Sequence, residues 1–97
     1  MATYIALAKF TDQGLRAVKD TLKRSDAARE LASRMGVRME DIHWTLGEYD
    51  LVIRCTADDE TAVTAFSLAV CSAGNVRIQT LRAFSRDEMN TVLGKLP

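Results

Sequence analysis

The side chains of this sequence best suited to chemistry recur at every second position of one short stretch. Asp41, His43 and Thr45 alternate with Ile42, Trp44 and Leu46, and Asp50 and Arg54 alternate with Leu51 and Ile53. Period-two alternation puts each set on one side of an extended chain. Gly47-Glu48 between the two runs has Gly at the first central position of a two-residue type II′ hairpin. That turn predicts strands over 38–46 and 49–56, with Leu46 opposite Tyr49, Trp44 opposite Leu51 and Ile42 opposite Ile53. The other face then pairs Thr45 with Asp50, His43 with Val52 and Asp41 with Arg54. A carboxylate, an imidazole and a guanidinium on one face suit a polar or anionic small molecule. Histidine as a residue type exchanges protons near neutrality, so His43 is a candidate general base beside Asp50 or Asp41.

Each of these residues also has a plainer reading. Asp41–Arg54 and Thr45–Asp50 are ordinary cross-strand pairs, each worth under about 1 kcal/mol. Val52 opposite His43 argues against a tight catalytic pair. Asp50, next to the turn, can bond backbone N–H groups or stand at the mouth of a site.

Other chemistry finds little support. His43 is the only histidine, so no histidine cluster is available to a metal and none is expected. No phosphate loop, nucleophile elbow or His-Glu-x-x-His motif occurs, and no cofactor is expected. Cys55 falls on the apolar face, and neither it nor Cys71 has the basic neighbours of an activated thiol. Trp44 reads as a core anchor over Leu51.

The elements that position these residues follow from pattern. Residues 3–10 read as a central strand, apolar on both faces. If Ile5 and Leu7 face the helices, then Tyr4, Ala6, Ala8 and Phe10 share the polar face, two alanines forming a shallow floor between aromatic walls. From Thr11 to Gly36 the pattern is helical. However, Leu15, Val18 and Leu22 lie roughly 120° around the axis from the Ala28, Leu31, Ala32 and Met35 stripe, at about 100° per residue. A kink or break is expected within 19–25, with Ser25 capping the second piece and Gly36 ending it. Asp58-Asp59-Glu60 opens the next helix, Asp58 as cap, with Val63, Phe66, Ala69, Val70 and Ala73 buried and Gly74 as terminator. Residues 75–84 form a last strand, Val76 and Ile78 inward, Arg77 and Gln79 toward the polar face. Ser85 and Glu88 make a capping box for a final helix carrying Met89, Val92 and Leu93.

Ninety-seven residues make one domain. The chain is 47% hydrophobic, and a domain this short buries its apolar surface incompletely, so a homodimer or higher homo-oligomer is expected. Thirteen basic residues balance thirteen acidic ones, without the basic stripe of a nucleic-acid binder. No apolar run reaches the roughly 20 residues of a membrane span, nor does the start read as a signal peptide. Two cysteines without close spacing fit reduced thiols; a cytoplasmic protein is expected.

The segments GEYDLV at 47–52 and GNVRIQTLRAFS at 74–85, with FTDQG at 10–14 and WTLG at 44–47, resemble the GYD-domain family, named for its Gly-x-Tyr-Asp turn. The resemblance runs from Tyr4 to about Leu96. Ala57 and Leu22 stand at or near frequent prolines of such sequences, and Ile78 at a frequent Thr. The resemblance implies a ferredoxin-like β-α-β-β-α-β antiparallel sheet with a C-terminal helix, in the class of dimeric α/β barrels, over 1–97. It implies no established reaction. The expected function is a homodimeric small-molecule-binding, sensor or assembly module; the alternative is a small cofactor-independent enzyme, monooxygenase- or isomerase-like. The candidate ligand-binding residues, facing a cavity on the polar side of the sheet, are His43, Asp50, Arg54, Arg77, Gln79 and Tyr4.

Overall fold

In the computed structural model, which describes residues 1–97, the chain runs β1 (Ala2–Phe10), α1 (Asp12–Arg16), a 3-10 turn (Val18–Asp20), α2 (Thr21–Arg34), β2 (Val37–Trp44), β3 (Leu51–Ala57), α3 (Glu60–Ser72), β4 (Val76–Ala83) and α4 (Arg86–Leu93). The four strands form one antiparallel sheet in the order β2-β3-β1-β4. Strand β1 is therefore paired on both edges, as its two apolar faces imply. Helices α2 and α3 cover one side of the sheet, and the other is open.

The hairpin register matches the expected one: Asp41 pairs Arg54, Ile42 pairs Ile53, His43 pairs Val52 and Trp44 pairs Leu51. The turn does not. The strands stop at Trp44 and resume at Leu51, and Gly47 adopts φ 138°, far from the roughly +60° of a II′ turn. The reason lies at Asp50. Its N–H donates to the Ala8 carbonyl of β1, and its carboxylate accepts from the Phe10 N–H at 2.8 Å. Asp50 is thus drawn toward β1, and the loop widens. A bulge at Glu40 lets Met39 and Ile42 share the helix side despite their odd spacing.

The break after α1 falls at 17–20, slightly before the expected place. Ser25 lies inside α2 and bonds the Leu22 carbonyl, so it caps nothing. Asp59, not Asp58, caps α3, accepting from the Thr61 hydroxyl and from the Thr61 N–H, which in that order hold its carboxyl below the usual range. Trp44 is no core anchor. On edge strand β2 it stays 40% exposed and donates its indole N–H to Thr21 at 3.0 Å.

The α1 turn is fastened to the α3–β4 loop. Thr11 N–H donates to the Asn75 carbonyl, the Thr11 hydroxyl to that of Gly74, and Gln13 to Ala73 and the Asn75 side chain. Gly14 closes the junction: a Cβ there would stand 2.0 Å from the Asn75 carbonyl oxygen. Strand β4 leads into α4 through the Ser85–Glu88 capping box, which Arg82 braces with a 3.1 Å bond to Glu88. The Ser85 N–H first, and the Arg82 guanidinium second, hold the Glu88 carboxyl below its ordinary value.

Two outcomes follow. Gly14→Ala should lower the thermal midpoint sharply, by the several degrees that about 1–3 kcal/mol of overpacking represents in a small domain. An unchanged midpoint would mean that α1 does not abut Asn75. Because the folded-state pKa of Glu88 is depressed, its contribution is complete above the ordinary carboxylate pKa of about 4.3 and is lost as pH falls through the folded value. Backbone chemical shifts of residues 86–93 should move toward coil on acidification, and Glu88→Gln should remove the pH dependence of that fraying.

Candidate functional site

The register of β1 decides what each side of the sheet presents. Tyr4 pairs Cys55, Ala6 pairs Ile53 and Ala8 pairs Leu51, while Arg54 and Val52 stand opposite Ile5 and Leu7. Tyr4, Ala6, Ala8 and Phe10 thus face the helices, and Ile5 and Leu7 face outward, one residue out of phase with the sequence reading. That reading gave the bulkier Ile5 and Leu7 to the core. The signal it passed over is Lys9, in phase with Ile5 and Leu7, whose ammonium would have been forced under the helices. Tyr4 accordingly leaves the polar face: it is 6% exposed, within the core.

The open face has an apolar centre in Ile5, Leu7, Val52 and Leu81. Leu81 is 41% exposed. Polar groups ring this centre. Arg54 binds one Asp41 oxygen through both Nε and Nη2, at 2.8 and 2.7 Å. Both side chains are about half exposed, so the pair is worth well under ~1 kcal/mol. His43, beside Val52, is exposed and has no hydrogen-bonding partner. Gln79 accepts from the Tyr49 hydroxyl at 2.8 Å, and Arg77 stands exposed across from Lys9. Asp50 is spent on the Phe10 N–H. The structure therefore brings His43, Arg54, Arg77 and Gln79 to one face, leaves Asp50 at its edge as a backbone clamp, and puts Tyr4 behind it. The main cavity of the chain is not on this face.

The cavity lies on the opposite side. A space of about 370 Å³ separates the sheet from α2 and α3, floored by Ala6, Ala8 and Ile78 and walled by Ala28, Ala69 and Val70. Sequence reasoning missed it because it depends on β1 turning its small side chains inward. Around Tyr4, by contrast, Ala32, Val37, Met39, Cys55, Val63 and Phe66 pack into a dry cluster. Burial, and then the charge of Glu40, push the Cys55 thiol up to about 11, so it is no nucleophile. A closed and empty space of 370 Å³ would cost on the order of 9 kcal/mol at ~24 cal/mol per Å³. That rivals the whole stability of a small domain. The cavity is instead partly open, with exposed Ala27, Ala73 and Thr80 in its lining. At this space half-buried Arg24 lacks an ionic partner and donates only to the carbonyls of Ala17 (2.8 Å) and Gly14 (3.5 Å). The Tyr4 hydroxyl, within the packed cluster, is buried without a hydrogen bond.

The GYD domain family model matches residues 4–93, and the chain belongs to that family. A Thermus thermophilus protein named glutamine synthetase and cystathionine beta-lyase binding protein is 34% identical over 84 residues, covering 86% of this chain and 88% of its own. A crystal structure of a protein from Thermus thermophilus superposes with a TM-score of 0.57 at 22% identity, covering 88% of this chain and 95% of that one. The crystal structure of FFRP-DM1 does so with a TM-score of 0.60 at 17% identity, covering 87% and 100%. At these identities the two structures share the fold and carry nothing about activity.

The contrast between Asp50 and Arg54 is measurable. Asp50→Ala should cost about 1.5–3 kcal/mol, because it strands a part-buried N–H that has a charged acceptor. Arg54→Met should cost well under ~1 kcal/mol. Urea unfolding of the two variants gives the comparison, and equal losses would overturn the assignment of Asp50 as the clamp.

Proposed function

We propose that this GYD-domain chain is an assembly module that acts as a homodimer, its open sheet face packed against that of a second copy, and that it engages protein partners. The observation that carries the reading is the open face itself. Ile5, Leu7, Val52 and Leu81 form an apolar centre inside a ring of charged and polar groups, the anatomy of a protein–protein interface. The strand order β2-β3-β1-β4, with helices on one side only, is that of a ferredoxin-like domain. Two such sheets face to face make a dimeric α/β barrel.

The C-terminal helix adds to the argument. Met89, Leu93 and Leu96 are 45%, 53% and 64% exposed, and Phe84 before them 54%, so α4 also carries apolar surface with nothing of its own chain to cover it. The name of the Thermus thermophilus relative, a binding protein for two enzymes, supports a protein partner for this chain. Between the paired faces, His43, Arg54, Arg77 and Gln79 of both copies would border any remaining space, where a polar small molecule could be sensed. A cofactor-independent enzyme using His43 has less behind it, since that imidazole stands beside Val52 with no acid or base in contact.

Light scattering after gel filtration at micromolar concentration should give at least twice the 10.7 kDa chain mass. Leu81→Glu should yield a folded monomer, because a carboxylate would be desolvated at the centre of the interface. A wild-type monomer would overturn the reading. So would a Leu81→Glu variant of unchanged mass.

A further inference from the structure

We propose that the cavity between the sheet and helices α2 and α3 binds a small amphiphilic carboxylate. Its head group would lie on Arg24 and its apolar body on the alanine floor. The proposal goes beyond the assembly reading and does not depend on it.

Three features converge. The space is kept hollow by small side chains from both layers: Ala6 and Ala8 of β1, Ala28 of α2, Ala69 of α3. The large side chains of β1, Ile5 and Leu7, point away from it. At about 370 Å³ it falls at the lower end of small-molecule pockets, roughly 300–1,000 Å³. Most of its lining is hydrophobic, 19 of 25 residues, which sets the body of the occupant.

Arg24 sets the head group. It lines the cavity half-buried and belongs to none of the ion pairs of the chain. Two backbone carbonyls hold it in place, leaving donors of the guanidinium fork and its full charge unmatched. A carboxylate matches that fork in charge and geometry. A phosphate dianion would meet one cation in an otherwise uncharged wall and stay under-neutralised, and a pure hydrocarbon would desolvate Arg24 without replacing the lost water.

Decanoate and 1-decanol, each below its aggregation limit, test the site by NMR titration of the full chain. Decanoate should bind saturably, shift the methyl signals of Ala6, Ala28 and Ala69, and bind about tenfold tighter than the alcohol, the worth of one charge-assisted contact. Arg24→Met should abolish the preference for acid over alcohol, and Arg24→Lys should restore most of it. Ala69→Phe, which fills the cavity, should weaken both ligands at least about tenfold while leaving the thermal midpoint equal or higher, unlike overpacking of a filled core. Should Arg24→Met unfold the chain, the Ala69→Phe variant carries the test alone. No saturable binding, shifts confined to the open face, or decanoate binding untouched by Ala69→Phe would each overturn the proposal. Since the light-scattering mass and these titrations are separate readouts, failure of this site is distinguishable from failure of the dimer.

Discussion

Strand β1 is hydrogen-bonded on both edges, to β3 on one side and β4 on the other, and its phase determines the character of every surface of the molecule. In an extended chain a shift of one residue exchanges the two faces completely. With Lys9 outward, Ile5 and Leu7 must also be outward, and Tyr4, Ala6, Ala8 and Phe10 must look toward the helices. The apolar bulk of the central strand is thus placed where no helix covers it, and its smallest side chains where two helices do. The open face is consequently stickier, and the core emptier, than the composition alone implies.

The helix layer is correspondingly uneven. At the Tyr4 end, Ala32 of α2 and Val63 and Phe66 of α3 close onto Met39, Cys55 and Ala57. This cluster is the source of most of the hydrophobic stabilisation, at about 25 cal/mol per Å² buried. At the Phe10 end, the break at residues 17–20 interrupts the first helical segment, and Leu15 and Leu22 remain 54% and 63% exposed. What holds this end together is polar. Thr11, Gln13 and Gly14 fit the α3–β4 loop, and Arg24 ties α2 back to the carbonyls of the break. The division suits a domain that keeps a rigid end and a hollow one, since hydrogen bonds at a rim fix position without filling volume.

How much of this could be read from the sequence depends on how uniquely each residue's surroundings constrain it. The hairpin register was legible because the two alternating runs flank Gly47-Glu48 symmetrically, which centres the pairing there whatever dihedral angles the turn adopts. Its turn was not, because the carboxylate of Asp50 reaches a strand forty residues away in sequence. The capping box at Ser85 was legible as a purely local exchange of hydrogen bonds, whereas at 58–59 two adjacent acids compete for one cap. The phase of β1 was the costly error. Both phases are apolar, side-chain size points the wrong way, and Lys9 alone discriminates. Four of the six candidate site residues share the face expected of them, while Tyr4 moved to the other side with the phase of its strand.

The overall shape gives the last step. A compact domain of this length has a radius of gyration of about 12.5 Å, but the chain measures 14.6 Å, with extents of 51 × 31 × 18 Å. The 18 Å dimension is that of a single sheet with one layer of helices, since sheet and helix layers stack about 10 Å apart. An antiparallel sheet can leave one face in water when that face is polar, whereas a sheet with apolar residues on both sides exposes one apolar side unless a second layer covers it. Here Leu81 on the open face and Met89, Leu93 and Leu96 of the C-terminal arm are the surfaces so left. The thin, elongated chain thus keeps apolar groups on its uncovered side. A second layer supplied by another chain would shield the outward phase of β1, whereas the hollow behind it is enclosed by elements of one chain alone.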